Sequence, residues 1–417
     1  MPSYRVVLAR ARDGWLKPVG EIPATQLRYD YGLSRAGSAR VSVNARTAGL
    51  SLNRQTLEPQ RTGLYIFRDG TIVWAGLLLD MAGSGTQQTF DLVAEEFTGQ
   101  IDAWRLKSNL ITSDNSIDIA LDVIAACYAE TGSPASVTGE LVIPTAGPVI
   151  DPGHSLGGGA GWPYGPIWYE YENHFAGDLL RELQRVGQHT QIQGGAPSAA
   201  SEGFEWTQHL LTDSPAVKFR IWAPRAGWDR ASYSIEWGSG TRHNVHQLGS
   251  WNRSSRNMAT HLRVVGLAGS TPSQGQRADV AYADALTDGY VRREVVYADP
   301  YARTYQEATA IGLDRLARVG KPQVQVRCSL AIGHGQWEYG QLSIGDRVPT
   351  RIVSFDHVVC DETLRITSLG YSIEKGQELC HLDLQTWIPY FLPPSSVIAP
   401  IGVGPGGIND DPLQPRP

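Results

Sequence analysis

The chain has 417 residues, 41% of them hydrophobic and 19% charged, with 45 glycines, 25 prolines, 12 tryptophans and 17 tyrosines. That length exceeds one ordinary core, and the Gly, Pro and aromatic content favours β-structure with long loops. A net charge of −6 excludes a generic nucleic-acid binder, and no run approaches the ~18 apolar residues that a membrane span needs.

Charge and cysteine usage narrow the setting. Residues 1–62 hold ten basic against four acidic residues, a basic segment in an acidic chain. Arginine outnumbers lysine 31 to 5. Arg suits bidentate pairs at permanent interfaces, and a GC-rich genome gives the same bias. Cys127, Cys328, Cys360 and Cys380 form no C-x-x-C pair, and three of them alternate with polar neighbours as buried strand residues do. The Val6–Ala9 run is too short for a signal-peptide core, so synthesis and folding in a cytoplasm are expected.

Residues 1–100 read as β, a small antiparallel barrel or sandwich. Tyr4–Arg12 and Trp15–Pro18 flank the turn signal Asp13-Gly14, and Leu64–Arg68 and Thr71–Trp74 flank a second at Asp69-Gly70. Ala39, Val41 and Val43 alternate with polar residues, as do Phe90, Leu92 and Ala94 in their stretch. A helix is predicted over 116–130, with Ile117, Leu121, Ile124 and Tyr128 on one face. A glycine-rich loop over 145–165 follows, containing Gly157-Gly158-Gly159 and Trp162-Pro163-Tyr164; it lacks the strand–helix context of a phosphate cradle. A second helix is predicted from Phe175 to Val186, its stripe formed by Phe175, Leu179, Leu180, Leu183 and Val186.

Lys218–Trp222, Tyr233–Trp237 and His261–Val265 read as short strands. A third helix is expected after Asp299 as N-cap, with Pro300 at its first helical position, closed by Gly320 and Pro322. Val324, Val326, Cys328, Leu330 and Ile332 then mark a half-buried strand. Ile344–Val348 turns into a strand, and Leu364–Thr367, Tyr371–Glu374 and Leu379–Gln385 read as three more. A similar β-module therefore occurs twice, at Gln60–Phe97 and Gly340–Gln385. From 393 to the end, seven prolines and four glycines without period describe an extended arm.

No set of residues completes a catalytic signature. His243-x-x-His246, with His209 and His261, lacks the helical H-E-x-x-H form and reads as loop or interface histidines. Gly153-His154-Ser155-Leu156-Gly157 is a loose echo of a nucleophile elbow in the wrong context, and Asp151 beside it makes no triad. Glu170, Glu172 and Asp178 near Trp162, Trp168 and Tyr171 permit a carbohydrate cleft; aromatics in a β-protein more often serve cores and interfaces. Gly333-x-Gly335 and Gly402-x-Gly404 lack a dinucleotide-site context. No catalytic residue, metal ligand or cofactor site is assigned.

Several stretches carry a family resemblance. They are Gly37-Ser38-Ala39-Arg40-Val41-Ser42-Val43, Thr62–Gly76 closing in Trp74-Ala75-Gly76, Gly177-Asp178-Leu179-Leu180-Arg181-Glu182-Leu183, and Thr304–Ala317 with its following strand. Leu342–Val348 and Leu364–Leu369 add to them. In order and pattern, residues 1–390 resemble the tail-tip (baseplate) hub proteins of tailed bacteriophages, often called minor tail proteins.

The resemblance implies a mainly β fold with a few helices, in which two small tail-tube-like antiparallel β-barrels flank a mixed α+β middle region. The barrels fall at 1–100 and, with a helix, at 281–390; the middle region spans 101–280 and a Pro/Gly-rich arm 391–417. It implies a structural, non-enzymatic virion component of the tail tip, most simply a homotrimer whose six barrels continue a tube. Its partners would be a distal tail protein, the tape-measure protein and fibre or other tip proteins. DNA would pass through the lumen without specific binding. The alternative is a cell-wall carbohydrate-binding or -degrading tail protein. The glycine-rich loop at 153–165 and the proline-rich arm after 389 match nothing in the family.

Overall fold

The computed structural model describes residues 2–10, 18–44, 57–84, 89–106, 110–111, 120, 123–124, 149–150, 167–168, 174–187, 204–211, 214–222, 226–238, 243–266, 277–282, 288–299, 305–333, 336–374, 376–386 and 397–398. They fall into two compact units, divided at Arg253/Ser254 and Gln323/Val324, with residues 397–398 in the second.

The first unit is built around one large sheet, with a two-stranded and a three-stranded sheet beside it. In chain order its elements are β1 (Tyr4–Arg10), β2 (Pro18–Ile22), β3 (Ala24–Gly32), β4 (Ser38–Asn44), β5 (Thr62–Arg68), β6 (Thr71–Ser84), β7 (Thr89–Glu96) and a 3-10 turn, Phe97–Asp102. Short β8 (Leu110–Ile111), β9 (Val149–Ile150) and β10 (Ile167–Trp168) precede α1 (Ala176–Gly187), β11 (Glu205–Leu211), β12 (Ser214–Trp222), β13 (Ile235–Trp237) and β14 (Gln247–Ser254). The second unit contributes β15 (His261–Gly266), β16 (Arg277–Tyr282), β17 (Glu294–Asp299) and α2 (Tyr305–Val319). The chain then returns to the first unit with β18 (Gln323–Ala331), β19 (Arg347–Ser354), β20 (His357–Glu374) and β21 (Gln377–Thr386), and β22 (Val397–Ile398) belongs to the second.

The mainly β class expected from the sequence is what the chain adopts. The two β-modules, however, are not separate bodies: thirteen strands form one sheet in the order β14-β18-β21-β20-β3-β4-β7-β6-β5-β1-β2, with β19 beside β20 and β13 beside β19. One apolar core runs through both modules, from Val6, Leu8, Tyr29 and Trp74 to Cys328, Leu364, Ile366 and Leu384. The strands β18 and β21 place Val326, Cys328, Leu382 and Leu384 in this core, as their alternation predicts.

The modules repeat one plan. β4 pairs back onto β7, and β18 pairs back onto β21. Each module opens on a two-residue hairpin with positive φ at both turn residues, Asp69 (50°) and Gly70 (85°) in one, Phe355 (50°) and Asp356 (61°) in the other. Paired β-bulges recur at matching places, Ile66/Phe67 with Leu78/Asp80 and Ile352/Val353 with Ile366/Ser368. Bulges bend a strand and raise its twist. In β20 the second bulge marks a change of partner along one edge: residues 357–365 pair with β19 and residues 368–373 with β3. That change of partner fuses the modules.

The sheet also curls. Five strands lie between β5 and β21. Even so, Arg68 of β5 donates twice to Glu378 of β21, Nε and Nη2 each at 3.0 Å, and the Tyr4 hydroxyl donates to the same carboxylate.

Local readings fare unevenly. In α1, Leu179, Leu180 and Leu183 are buried, whereas Phe175 lies just before the helix and is 40% exposed, so it does not belong to the stripe. The Val186 side chain, the Asp13-Gly14 turn, most of the predicted 116–130 helix and the glycine-rich loop lie outside the described residues. Ala120, Val123 and Ile124 are helical and buried. In the second unit a four-stranded sheet, β17-β15-β16-β22, packs on α2 through Leu262, Val264, Val280, Ala308, Ile311 and Leu316. Asp299 ends β17, residues 300–304 lie outside the described residues, and α2 stops before Gly320, whose N–H meets the Leu316 carbonyl at 2.7 Å.

Candidate functional site: the polar face of the fused sheet

Alternation gives every strand of the fused sheet a second face. Opposite the core, β18, β21, β20, β3, β4 and β7 present Arg327, His381, Asp383, Ser368, Arg28, Asp30, Ser38, Arg40, Ser42, Asp91 and Glu95. The face runs across the β3–β20 seam without a break in the ladder. At the seam lies a polar depression of about 270 Å³ bordered by Arg28, Asp30, Arg35, Ser38, Gly370 and His381.

The charges on this face are tied to one another across strands. Arg40 Nη2 donates to Asp91 Oδ2 at 2.5 Å and the Ser42 hydroxyl to Asp91 Oδ1 at 2.5 Å. These two donors hold the Asp91 carboxyl below its usual range. Arg327 Nε lies 3.2 Å from Asp383 Oδ1. The Asp30 carboxylate accepts from the Ser38 N–H at 3.0 Å and from its hydroxyl at 2.7 Å. The Ser372 hydroxyl sits 2.7 Å from His381 Nε2, and burial, then the Arg28 charge, hold that imidazole below its usual pKa. The result is a wetted wall with both signs interspersed and little surplus of either. Such a wall neither grips a polyanion by counterion release nor repels it strongly.

Behind the seam the core side is aromatic. Tyr29, Tyr31, Tyr339 and Tyr371 pack around it: Tyr339 and Tyr371 have centroids 4.5 Å apart, and Tyr29 Oη lies 3.2 Å from Tyr339 Oη. Burial raises the hydroxyl pKa of Tyr29, Tyr31 and Tyr371, so they stay protonated hydrogen-bonding groups. Arg68 stacks on the Tyr339 ring at 4.1 Å.

Glu96 is the unusual buried acid. It is 1% exposed and accepts from the Gly37 N–H at 2.6 Å. Burial pushes its carboxyl up to about 8, opposed by the hydrogen bond from Gly37. The folded chain therefore keeps a proton between about pH 4.5 and 8 that the unfolded chain releases. Stability from this group is full below that window, falls as pH rises through it by up to ~1.4 kcal/mol per unit, and is flat above. Glu96→Gln is expected to flatten this decline, read as melting temperature between pH 5 and 8.5; a wild-type profile already flat there contradicts it.

A second polar cluster holds the middle of the chain against the second module. Asp346, fully buried, accepts from the Trp228 N–H at 2.7 Å, the Ser343 N–H at 2.9 Å and Arg230 Nε at 2.8 Å. Glu205 receives both terminal nitrogens of Arg365, whose Nε donates to the Gly345 carbonyl at 3.1 Å. Gly345 (φ 88°) and Gly227 (φ 87°) meet back to back, and a Cβ on Gly227 would fall 2.0 Å from the Gly345 carbonyl carbon. This explains why the Ile344–Val348 turn signal carries glycine.

The residues weighed for chemistry are dispersed. His243 stacks edge-on against Trp237 at 5.2 Å, His209 meets Arg220 at 2.9 Å, and His261 contacts the Thr260 hydroxyl at 3.1 Å. Among the described residues no three His, Cys, Asp or Glu side chains are grouped to hold a metal. Asp178 pairs with Arg181 at 2.9 Å on an exposed helix surface. Glu170, Glu172, Trp162, Tyr171 and the 151–157 stretch lie outside the described residues. Cys328, Cys360 and Cys380 are buried, as their alternation with polar neighbours predicts. No helix among the described residues is long and apolar enough to cross a membrane.

The fold is shared with several solved prophage tail proteins. The chain is similar to the 43 kDa tail protein of prophage MuSo2 from Shewanella oneidensis (TM-score 0.57, 14% identity, 92% of this chain and 98% of that one). It is also similar to a tail protein of Neisseria meningitidis MC58 (TM-score 0.55, 12% identity, 92% and 97%) and to prophage tail protein gp18 of Listeria monocytogenes EGD-e (0.51, 10%, 92% and 95%). No protein-family model matches the chain, and no curated protein matches its sequence. The likeness expected from residues 1–390 is thus borne out as a shared fold extending over nearly the whole of each of those proteins.

Proposed function

We propose that the chain is a structural, non-enzymatic hub subunit of a bacteriophage tail tip, three copies closing into a ring that extends the tail tube. The observation that carries this reading is the β3–β20 seam. It turns two tube-like modules, within 1–100 and 281–390, into one curved sheet with an unbroken, charge-balanced polar face. Such a face suits a lumen through which the tape-measure protein and then DNA slide. The fold shared with prophage tail proteins supports the same reading. A distal tail protein above the ring and tip or fibre proteins around it would be its neighbours in the virion.

Light scattering on the purified chain is expected to give the mass of three copies, and incubation with host cell-wall polysaccharide to give neither retention nor released sugar. A strictly monomeric chain that cleaves or retains the polysaccharide would instead favour a carbohydrate-processing tail protein.

A further inference from the structure

We infer that copies of this chain join through a second strand seam: the outer edge of β6 over Asp80–Ser84 in one copy pairs antiparallel with the outer edge of β14 over Gly249–Arg253 in the next. The inference rests on the ring reading above and names the surfaces that reading leaves open.

The argument comes from the internal repeat. Matching the bulges sets Asp80 of β6 against Ser368 of β20, so Asp80–Ser84 corresponds to Ser368–Ser372. In β20 this stretch pairs on one edge with β21 and on the other with β3. In β6 the corresponding stretch pairs on one edge with β7, while the other edge has no described partner strand beyond Leu78, whose carbonyl accepts from the Gln60 N–H at 2.7 Å. The Met81 N–H is met by the adjoining Asp80 carboxylate at 2.7 Å, a side-chain cap on an open edge. One half of the repeat thus has its seam, and the other half has the same edge open among the described residues.

The strand that would fill it is identified by the same matching. β3 flanks β4 in the first module, and β14 flanks β18 in the second. β14 ends the sheet, so its outer edge is open among the described residues. Registers agree in detail. Arg28 pairs with Arg40, Arg40 corresponds to Arg327, and Gly249 backs onto Arg327, with its Cβ position 3.3 Å from the Arg327 carbonyl oxygen. Leu248 then matches Leu27, and both pack on the core.

Carrying the β3–β20 register over places Asp80 opposite Arg253 and Ala82 opposite Trp251. Opposite charges face each other, and a small side chain on one edge meets the largest on the other. Met81 and Trp251, 45% and 40% exposed, lie on these two edges. One donor edge and one acceptor edge per copy make a head-to-tail contact, which closes into a ring when the rotation permits.

The test is self-association of the full chain across a dilution series, read by light scattering. Met81→Pro removes the edge N–H that meets the Asp80 carboxylate, and it is expected to weaken self-association at least tenfold with the melting temperature nearly unchanged. Asp80→Arg is expected to weaken it as well, and Asp80→Arg with Arg253→Asp to recover most of the loss. A folded Met81→Pro chain that assembles like wild type overturns the seam while leaving the ring reading intact, as does a double reversal no better than the single one. A wild-type chain that never self-associates overturns both.

Discussion

Replacing Asp346 by alanine is expected to cost about 3 kcal/mol of stability, among the largest single losses in the first unit. The carboxylate is fully buried and satisfies two backbone N–H groups and Arg230 at 2.7–2.9 Å. Its loss leaves those donors facing a void. Arg230 is 29% exposed on its side chain and recovers some hydration, which keeps the figure at the low end for a broken buried pair. Asp346→Asn retains the shape and one acceptor but turns an amide N–H₂ towards donors, so about half the loss is expected. Denaturant midpoints for the three proteins check this; an alanine variant within 0.5 kcal/mol of wild type would show that the Ser343–Arg347 turn is held by its packing alone.

Glu378→Ala is expected to cost about 2–4 kcal/mol, with an effect that is local to the curled edge. Glu378 is 5% exposed on its side chain and accepts twice from Arg68 and once from Tyr4. The variant strands the Arg68 guanidinium over the Tyr339 ring. Because this network joins β1 and β5 to β21 across the core, amide exchange in β1, β5 and the start of β21 is expected to speed up well before exchange at the β3–β20 seam. Uniform acceleration would mean that the curl has no stability of its own. Glu378→Gln, which keeps one acceptor and the volume, is expected to fall between the two.

Much of the fold is legible in the residues because strand burial is written in alternation. Ala39, Val41 and Val43 are buried in β4, and Val324, Val326 and Cys328 in β18, as their spacing indicates. The Asp69-Gly70 signal produces the hairpin it predicts, since Gly accepts φ near 85° at no steric cost. Two features escaped for physical reasons. Leu364–Thr367 and Tyr371–Glu374 read as separate strands because the bulge between Ile366 and Ser368 shifts the alternation; they are one strand, β20. β3 carries a period-2 signal in Leu27, Tyr29 and Tyr31, which alternate with Arg28 and Asp30, but no turn signal sets its bounds. Tyrosines there serve both core and hydrogen bonding, so a purely apolar pattern undercounts them.

The candidate site is less legible than the strands that build it. A polar face is legible strand by strand, but its continuity depends on which strands are neighbours, and long-range pairing such as Tyr29 with Tyr371 leaves no local mark in a sequence. The Phe355-Asp356 turn, which carries no glycine, was likewise unreadable as a hairpin although both residues adopt positive φ. The duplication itself was visible as order and spacing, and the matching bulges give it a structural basis.

The most direct measurement is an electron cryo-microscopy map of the assembled particle at a resolution that traces strands. The expected result is a ring of copies in which Arg28, Asp30, Arg40, Asp91, Arg327 and Asp383 face a continuous central channel. A map in which this face is turned outward, or is covered by another protein with no channel beside it, would contradict the account.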